Sequence, residues 1–310
     1  MKKRILKYIR KTCGVNSVLK NQEYFYQYFE KLRFNVHKNK MIEHILHDSE
    51  SGITDARYTD HEIIVSLTTY GKRIYDVSFA IESIMQQSIK ANRIILWLDD
   101  SFQGKRLPES LYLQQKRGLE IAFCKDIGPH TKLIPSLRRF PNDAIITIDD
   151  DAIYDFDLLE RLIIPYLSNP SYIYCHRMHK MKFDKDGTLL PYMKWDWRCT
   201  NTHPSHLNFA TGVGGILYPP HSLDEEVFNE EIFLKYCRTA DDVWFKAMAI
   251  KKGTKVEGIL SRDNHGEDYL SNTYVQDVGL YNANNQGEML NDKQIDAVFT
   301  KYNIKANNLS

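Results

Sequence analysis

The residues best suited to chemistry are three consecutive aspartates, Asp149, Asp150 and Asp151, which directly follow the apolar run at 144–148. Charged groups are costly inside a sheet, so the predicted strand must end there and release the acids at its carboxyl end. Open α/β sheets bind their ligands at that edge. The alternation of an extended chain predicts that Asp149 and Asp151 point to one side and Asp150 to the other.

Two carboxylates on one side of a strand, about 6–7 Å apart, repel each other in a dry site unless a cation lies between them or one is protonated. A hard divalent cation, Mg²⁺ or Mn²⁺, meets that need, and such ions are held by one or two carboxylates together with substrate phosphates. The triplet therefore predicts a site for a metal–diphosphate complex. The alternative is that the acids only favour the start of the next helix, whose first turn prefers negative charge.

A second acidic pair, Asp241 and Asp242, begins a predicted helix that ends before Gly253. Acids at a helix start cap free N–H groups and interact well with the helix dipole, which is a sufficient explanation of the pair. A helix start also holds a carboxylate rigidly, as a general base requires. Both interpretations stay open on the residues alone.

Further polar residues lie at the ends of predicted strands. Thr68, Thr69 and Tyr70 end the first strand and precede Gly71. Hydroxyls and backbone amides at this place can bind the nucleobase or the ribose of a nucleotide. Asp99 ends the second strand. Its carboxylate either binds the nucleobase or the ribose of a nucleotide, or is simply an acidic residue at the end of the strand with no role in binding.

Two other segments are suited to a charged ligand. Lys132 and Arg138 precede the acidic strand and can neutralise a diphosphate, Arg138 in a bidentate manner, whereas a solvated cation is the alternative. Gly212, Gly214 and Gly215 come just before a predicted strand, and such a loop lets the backbone approach a ligand closely. Their spacing does not fit the dinucleotide fingerprint G-x-G-x-x-G.

These residues must be positioned by short β-rich runs that alternate with helical patterns after residue 60, which predicts a mainly parallel α/β sheet. Apolar residues recur at helical spacing over Val77–Met85 and predict the first helix after the opening strand. Aromatic residues at helical spacing within 1–60 predict a helical extension outside the main fold. The predicted strands are 62–69, 93–98, 119–123, 144–148, 171–175 and 215–218.

The pattern Ile-Ile-Thr-Ile-Asp-Asp-Asp at 145–151, preceded by Gly-Pro-His-Thr-Lys-Leu at 128–133, resembles the D-x-D region of GT-A-fold glycosyltransferases. These are nucleotide-sugar-dependent enzymes of polysaccharide assembly, and the likeness is to bacterial family 2-like or exostosin-like members. The opening strand at 63–70 and Ala-Asp-Asp-Val-Trp-Phe at 240–245 stand in the family's order. The resemblance covers roughly residues 62–265. It implies a GT-A, Rossmann-like fold with a mixed, mainly parallel sheet flanked by helices.

The resemblance also implies roles. Relatives carry the catalytic base in an acidic pair at the place of Asp241 and Asp242, and position in the motif favours Asp242 as the base and Asp241 as a partner of sugar hydroxyls. The glycine-rich stretch would border the donor sugar and the acceptor. His265 stands where some relatives supply a third metal ligand, although a solvated loop histidine is the alternative. The expected metal ligands are Asp149, Asp151 and His265, and the expected donor-binding residues are Thr68, Thr69, Tyr70, Arg73, Asp99, Lys132, Arg138, Asp149, Asp150, Gly214 and Gly215.

The composition argues against several other classes of protein. The 310 residues carry 41 Lys and Arg against 40 Asp and Glu, a formal net charge of +1, so nothing attracts the whole chain to nucleic acid. The five cysteines are an odd number without a C-x-x-C pair, which favours a reducing cytosol over a disulfide framework. No apolar stretch is long enough to cross a bilayer. We expect a cytoplasmic protein.

The first residues, MKKRILKYIRKTCG, are basic, but Lys7, Arg10 and Lys11 interrupt the apolar region that a signal peptide needs. Ile5 and Ile9 among these cations predict a short basic amphipathic helix. Such a helix can make peripheral contact with anionic lipid on the inner face of the cell membrane. A solvated helix face or a frayed terminus is the alternative.

We expect a helical extension at 1–60, a catalytic domain at 61–270 and an irregular C-terminal tail at 271–310 that packs on the domain. The resemblance implies a metal-dependent glycosyltransferase that transfers a sugar from a nucleoside-diphosphate sugar, UDP-linked by default, to a hydroxyl of a glycan acceptor. The acceptor would belong to a surface polysaccharide, capsule or lipopolysaccharide, and an aspartate base implies inversion.

Two alternatives remain. A Mg²⁺-dependent nucleotidyltransferase also needs carboxylates at the end of a strand, but of its triphosphate loop only Gly-Lys-Arg at 71–73 is present. In a noncatalytic carbohydrate-binding domain the acids would be structural, and the presence of both the triplet and the acidic pair argues against it.

Overall fold

A computed structural model describes residues 15–200, 203–260, 268–272, 290–306 and 309. Its strands are β1 (Ile63–Thr68), β2 (Arg93–Asp99), β3 (Leu119–Cys124), β4 (Ala144–Thr147), β5 (Ala152–Tyr154), β6 (Ile173–Cys175), β7 (Met178–Lys180), β8 (Asn208–Ala210), β9 (Ile216–Tyr218), β10 (Val256–Gly258) and β11 (Tyr269–Ser271). Its α-helices are α1 (Val15–His47), α2 (Val77–Met85), α3 (Glu109–Gln115), α4 (Ile134–Arg139), α5 (Leu158–Ser168), α6 (Glu230–Tyr236), α7 (Asp241–Lys252) and α8 (Leu290–Lys301).

Seven strands form one central sheet in the order β10-β6-β9-β4-β1-β2-β3. Every neighbouring pair is parallel except the two that involve β9, which runs antiparallel to β4 and β6. The sheet is therefore mixed and mainly parallel. The six predicted strands are all present in it, so the predicted α/β, Rossmann-like fold is confirmed.

Both faces of the sheet are buried, because successive side chains of β1 alternate between two cores. Ile63, Val65 and Leu67 pack in one core with apolar residues of α2 and α5. Ile64 packs in the other core with residues of α4, α7 and α8. Strands covered by helices on both faces read as continuous apolar runs, which is the pattern that the sequence shows.

The N-terminal extension is a single long helix, α1, and its two halves differ. Phe34, Met41 and Ile45 are buried against α2, β5 and β11, so the C-terminal half of α1 packs on the main unit rather than outside it. The aromatic residues near its start are exposed, among them Tyr24 and Phe25 at 68% and 67%. The basic segment at residues 1–12 lies outside the described residues.

The C-terminal tail is not wholly irregular, because α8 is helical and contacts α6 and α7. Ile295, Val298 and Phe299 bury its apolar face in the core that also contains Trp244 of α7. The sequence did not mark this helix strongly, since its apolar residues are few. In the part of the chain that the structure describes, no helix combines the length and apolar character needed to cross a membrane.

The ligand-binding edge of the sheet is formed by the carboxyl ends of β1, β2, β4 and β6. The loop before β9 reaches the same edge, because β9 runs antiparallel to its neighbours. The start of α7 lies there as well, and its other end is fixed by Gly253, whose φ of +83° is the left-handed conformation typical of a helix C-cap. Three separate parts of the chain thus meet at one place.

Candidate active site

A cavity of about 620 Å³ opens at this edge. It lies between the ends of β1, β2 and β4 on one side and the start of α7 on the other. Most of the residues that the sequence singles out line it together: Thr68, Thr69, Tyr70, Arg73, Asp99, Lys132, Asp149, Asp150, Asp151, Asp241 and Asp242.

The aspartate triplet reaches the cavity, but not as two alternating sets. A turn follows β4 and contains Asp150 and Asp151, so the chain is no longer extended there. Asp150 and Asp151 both contact the guanidinium of Arg73, whereas Asp149 contacts Lys132. The prediction that Asp150 points away from the other two is therefore wrong.

Arg73 lies in a short 3₁₀ helix (Gly71–Tyr75) directly after β1. Its Nη1 is 3.0 Å from Oδ1 of Asp150, and its Nη2 donates to Asp151. The Thr69 hydroxyl also donates to Asp150, at 2.5 Å. Burial and the charge of Asp151 raise the pKa of Asp150 to about 7 against the opposite effect of Arg73. Near neutral pH this carboxylate is thus poised between its two protonation states.

Lys132 connects the triplet to the acidic pair. Its Nζ is 2.8 Å from Oδ1 of Asp149 and 3.0 Å from Oδ2 of Asp241, and the residue is only 8% exposed. Burial lowers the pKa of the ammonium, but Asp149, Asp241 and Asp242 raise it well above its ordinary value. The side chain stays charged and holds two carboxylates that are distant in sequence.

Asp241 and Asp242 are the first residues of α7, but the N-cap position belongs to Ala240. Asp242 instead accepts hydrogen bonds from the backbone N–H of Gly212, at 3.1 and 3.2 Å. Burial and the charge of Asp241 raise the pKa of Asp242 to about 7 against the opposite effect of Lys132. A carboxylate with a pKa near neutrality is suited to accept a proton in catalysis.

Gly212 is the position in the glycine-rich loop at which the site leaves no room for a side chain. A Cβ at this position would lie 2.5 Å from Nζ of Lys132 and 3.3 Å from Oδ1 of Asp149, so a side chain would displace the ion pair. The predicted glycines Gly214 and Gly215 do not line the cavity, because their α-carbons face the segment after β6 and helix α5. A glycine-rich loop in the sequence predicts that the backbone comes close to another group, but it does not predict which of the glycines does so.

Three further predicted residues line the cavity wall. The Thr68 hydroxyl donates to the carbonyl of Trp97 at 2.9 Å, and the carboxylate of Asp99 accepts from the N–H of Ser101 at 2.8 Å. Tyr70 is 43% exposed, and the guanidinium of Arg73 lies 5.4 Å from the centre of its ring. These groups form the side of the cavity nearest to β2.

Two predicted residues are not part of this arrangement. Arg138 lies outside the cavity lining, since α4 directs its guanidinium to the carbonyl of Phe228 at 3.2 Å. The expectation that Arg138 contacts a diphosphate therefore has no support from its position. His265 lies outside the described residues.

The charge of the cavity lining is unbalanced. Seven aspartates line it, against four arginines and one lysine. No three His, Cys, Asp or Glu side chains among the described residues are grouped as a complete metal cage. Mg²⁺ and Mn²⁺ do not need one, because they accept a pair of carboxylates plus substrate phosphates. Hard oxygen donors and excess negative charge thus fit a divalent cation.

Three arginines of the cavity lining are missing from the sequence-based set: Arg177, Arg198 and Arg238. Arg177 follows β6, so the rule that ligands bind at strand ends could have found it. Arg198 and Arg238 lie in irregular segments, where no periodicity or spacing indicates a position in space.

Comparison with known proteins adds little to this geometry. No protein-family model matches the chain, and no curated protein matches it. Among solved structures, it is similar to the inositol-1-phosphate CTP transferase from T. maritima, with 11% identity and a TM-score of 0.39 over 65% of this chain and 86% of that one. It is also similar to S. aureus TarS 1–349 in complex with UDP, with 13% identity and a TM-score of 0.44 over 67% of this chain and 59% of that one. At these values neither likeness carries a functional argument.

Proposed function

We propose that this protein is a metal-dependent glycosyltransferase that transfers a sugar from a nucleoside-diphosphate sugar, UDP-linked by default, to a hydroxyl of a glycan acceptor. The supporting observation is that the aspartate triplet and the pair Asp241/Asp242 meet around the buried ammonium of Lys132. Glycosyl transfer needs a charged pocket for the diphosphate and a base beside it. Here both lie in one cavity at the ligand-binding edge of the sheet.

The donor is expected at the end of β1. Thr68, Thr69 and Tyr70 would contact the base and ribose, and Asp99 lies on the same wall. Arg73 would lie beside the diphosphate, next to the triplet. Mn²⁺ or Mg²⁺ would be held by Asp149 and Asp151. The ion supplies positive charge that stabilises the departing diphosphate.

The residues of the chain then account for the transfer step. The acceptor oxygen forms a bond to the anomeric carbon, and the bond from that carbon to the diphosphate oxygen breaks with its electron pair leaving on the nucleoside diphosphate. Asp242 takes the proton of the attacking hydroxyl. Asp241, held by Lys132 at 3.0 Å, orients sugar hydroxyls. Attack opposite the leaving group inverts the anomeric centre.

The resemblance to GT-A enzymes supports an acceptor in bacterial surface polysaccharide, capsule or lipopolysaccharide, and the near-zero net charge gives no reason to invoke nucleic acid. We also propose peripheral contact with anionic lipid. Residues 1–22 carry seven Lys and Arg and no Asp or Glu, and the exposed Tyr24 and Phe25 follow. Sedimentation with anionic vesicles should weaken when residues 1–12 are deleted, and unchanged partition would contradict this contact.

Thermal unfolding tests the proposed activity. UDP, GDP and CMP are each added with and without Mn²⁺ to the wild type, to Asp151→Asn and to Asp55→Asn, an exposed aspartate far from the cavity. A ligand at 100 times its dissociation constant adds about 2.7 kcal/mol to the free energy of unfolding, which raises Tm by several degrees. We expect stabilisation by UDP that requires both Mn²⁺ and Asp151 and that Asp55→Asn retains.

The outcomes separate the alternatives. Stabilisation by GDP or CMP in place of UDP would change the donor but keep the site. Stabilisation by a nucleoside triphosphate, followed by release of pyrophosphate, would favour a nucleotidyltransferase. If no nucleotide shifts Tm, the glycosyltransferase proposal fails.

A further inference from the structure

One end of the cavity carries positive charge that the donor site does not use. Arg177 follows β6 and Arg198 follows Trp197, and all three line the cavity. Both guanidinium groups lie near the buried ring of His179. Burial lowers the pKa of His179 to about 3, and the charges of Arg177 and Arg198 lower it as well. Two cations therefore face the same side of the cavity.

Arg177 differs from the two cations at the aspartates. Arg73 and Lys132 each contact two carboxylates. Among the described residues, no carboxylate lies within salt-bridge distance of Arg177, whose Nη1 donates to the hydroxyl of Thr211 at 2.7 Å. Its Nε is buried without a hydrogen-bond partner. A buried donor is costly when it is unsatisfied, so this arginine has unused capacity for an anion.

Arg198 is held in place by its backbone. Its φ of +49° is the left-handed conformation that a residue other than glycine seldom adopts. Its N–H donates to Nδ1 of His179 at 3.1 Å, and the ring of His179 lies 4.5 Å from that of Trp197. Residues in such conformations persist where the surroundings hold them, often at binding sites. Here the surroundings fix Arg198 beside an aromatic wall.

The position of Arg177 distinguishes this end of the cavity from the donor end. β6, which precedes Arg177, is separated from β4 by β9, so Arg177 follows a strand two places away from the one that ends in the aspartate triplet. β1, where the nucleoside is expected, is one strand further away. Arg177 donates to the hydroxyl of Thr211, and the N–H of the next residue, Gly212, donates to Asp242, so the arginine end adjoins the proposed base.

We propose that Arg177 and Arg198 form a subsite for an acidic group, a carboxylate or a phosphate, on the glycan acceptor. This inference rests on the proposed function and makes the acceptor an anionic glycan. Guanidinium groups bind carboxylate and phosphate through paired hydrogen bonds, and sugar rings pack well on aromatic faces. Tyr192 and Trp197 supply such faces in the lining of the same cavity.

Three sugars that differ at one carbon test the subsite: glucose, glucuronate and glucose 6-phosphate. Their binding to the full chain is measured by ligand-observed NMR at constant ionic strength, with UDP and Mg²⁺ present. We expect the acidic sugars to bind the wild type about tenfold more tightly than glucose, or better, as one charge-assisted pair provides. Arg177→Gln and Arg198→Gln should lose this preference and keep the weak binding of glucose. Because Arg198 is exposed, Arg198→Gln should fold as the wild type does.

Arg106→Gln is the matched control, because Arg106 is exposed and lies outside the cavity lining. It should keep the full preference. A preference for glucuronate alone would identify a carboxylate as the natural group, and one for glucose 6-phosphate alone would identify a phosphate.

Two results would overturn the proposal. One is equal binding of the three sugars to the wild type, or a preference that survives both substitutions. The other is a tenfold loss of UDP affinity in Arg177→Gln with the sugar preference intact, which would assign the arginines to the donor. UDP binding to the wild type is read in the same samples, so its absence would count against the proposed function and not against the anion subsite.

Discussion

The two ends of the cavity differ in how their charged side chains are paired. At the carboxylate end, five aspartates surround Arg73 and Lys132, and each cation contacts two acids. At the arginine end, Arg177 faces the cavity with a hydroxyl as its hydrogen-bond partner. The first end has more negative charge than its own cations neutralise, whereas Arg177 at the second has no carboxylate within salt-bridge distance among the described residues. The two ends therefore differ in the sign of the ligand charge that each is suited to meet.

The two ends of the cavity also differ in the structural elements that hold their residues. The carboxylate end rests on the central strands β1 and β4 and on helix α7, all of which are buried in the two cores. The arginine end rests on β7, β8 and a cluster of aromatic rings that includes Tyr192, Trp197 and His179. Substitutions at the first end should therefore affect the chemistry and the stability of the whole unit. Substitutions at the second should affect selectivity.

The largest effect is expected from Asp242→Asn. Removal of the proton acceptor should lower turnover by about 10²–10⁴-fold while the affinity for UDP and Mn²⁺ stays near that of the wild type. Turnover is measured with the donor sugar identified by a UDP-sugar panel. Asp241→Asn is the comparison, and a larger loss of turnover in that variant would reverse the two roles.

The next effect is expected from Lys132→Met. It leaves the buried Asp241 and the partly buried Asp149 without their ammonium, and breaking a buried ion pair costs about 3–5 kcal/mol. The loss in free energy of unfolding, measured by urea titration, should be larger at pH 8 than at pH 5, because burial already raises the pKa of Asp241 and its protonation at low pH removes the unpaired charge. Lys125→Met is the control, since its ion pair with Glu230 is exposed and worth about 1 kcal/mol or less. Equal losses in both variants would mean that the central ammonium does not hold the site.

A smaller effect is expected from Gly212→Ala. The added Cβ would lie 2.5 Å from Nζ of Lys132, and overpacking of this kind costs about 1–3 kcal/mol. In a Lys132→Ala background the obstructed atom is gone, so the same substitution should cost less. A double-mutant cycle on the free energy of unfolding measures the difference. Additive costs would show that the steric contact with Lys132 is not what selects glycine here.

The smallest effect concerns pH at the arginine end. His179 has a folded-state pKa of about 3, below the 6.5 of an unfolded histidine, so the unfolded chain takes up a proton first as pH falls. Its share of stability is present above pH 6.5 and is lost below it, at about 1.4 kcal/mol per pH unit. The slope between pH 6.5 and 5.5 should be shallower in His179→Gln. The exposed His47→Gln should keep the wild-type slope, and a His179→Gln slope equal to it would contradict the assignment.

The sequence predicts the parts of the fold that carry a recognisable pattern of apolar residues. Six of the seven central strands and α7 follow from apolar runs and a capping glycine, and the triplet falls at the sheet edge because charge cannot stay in a buried strand. The pairing of Asp150 and Asp151 with Arg73 did not follow, since it depends on a turn that no pattern indicates. The glycine-rich loop was predicted, but not that Gly212 is its member at the site. That role arises from the antiparallel strand β9, and the direction of a strand is not encoded in its own residues.

Lys132 has a consequence for how the protein is made. Arg73 precedes Asp151 by 78 residues, so that pair can form while the rest of the chain is still being synthesised. Lys132 and Asp149, 17 residues apart, have both emerged by then, but Asp241 arrives only when the start of α7 has left the ribosome. Contacts between residues distant in sequence form late. The acidic pair is therefore the last of the clustered aspartates to join the cavity, and a nascent chain that stalls before it holds the triplet and Lys132 without the proposed base.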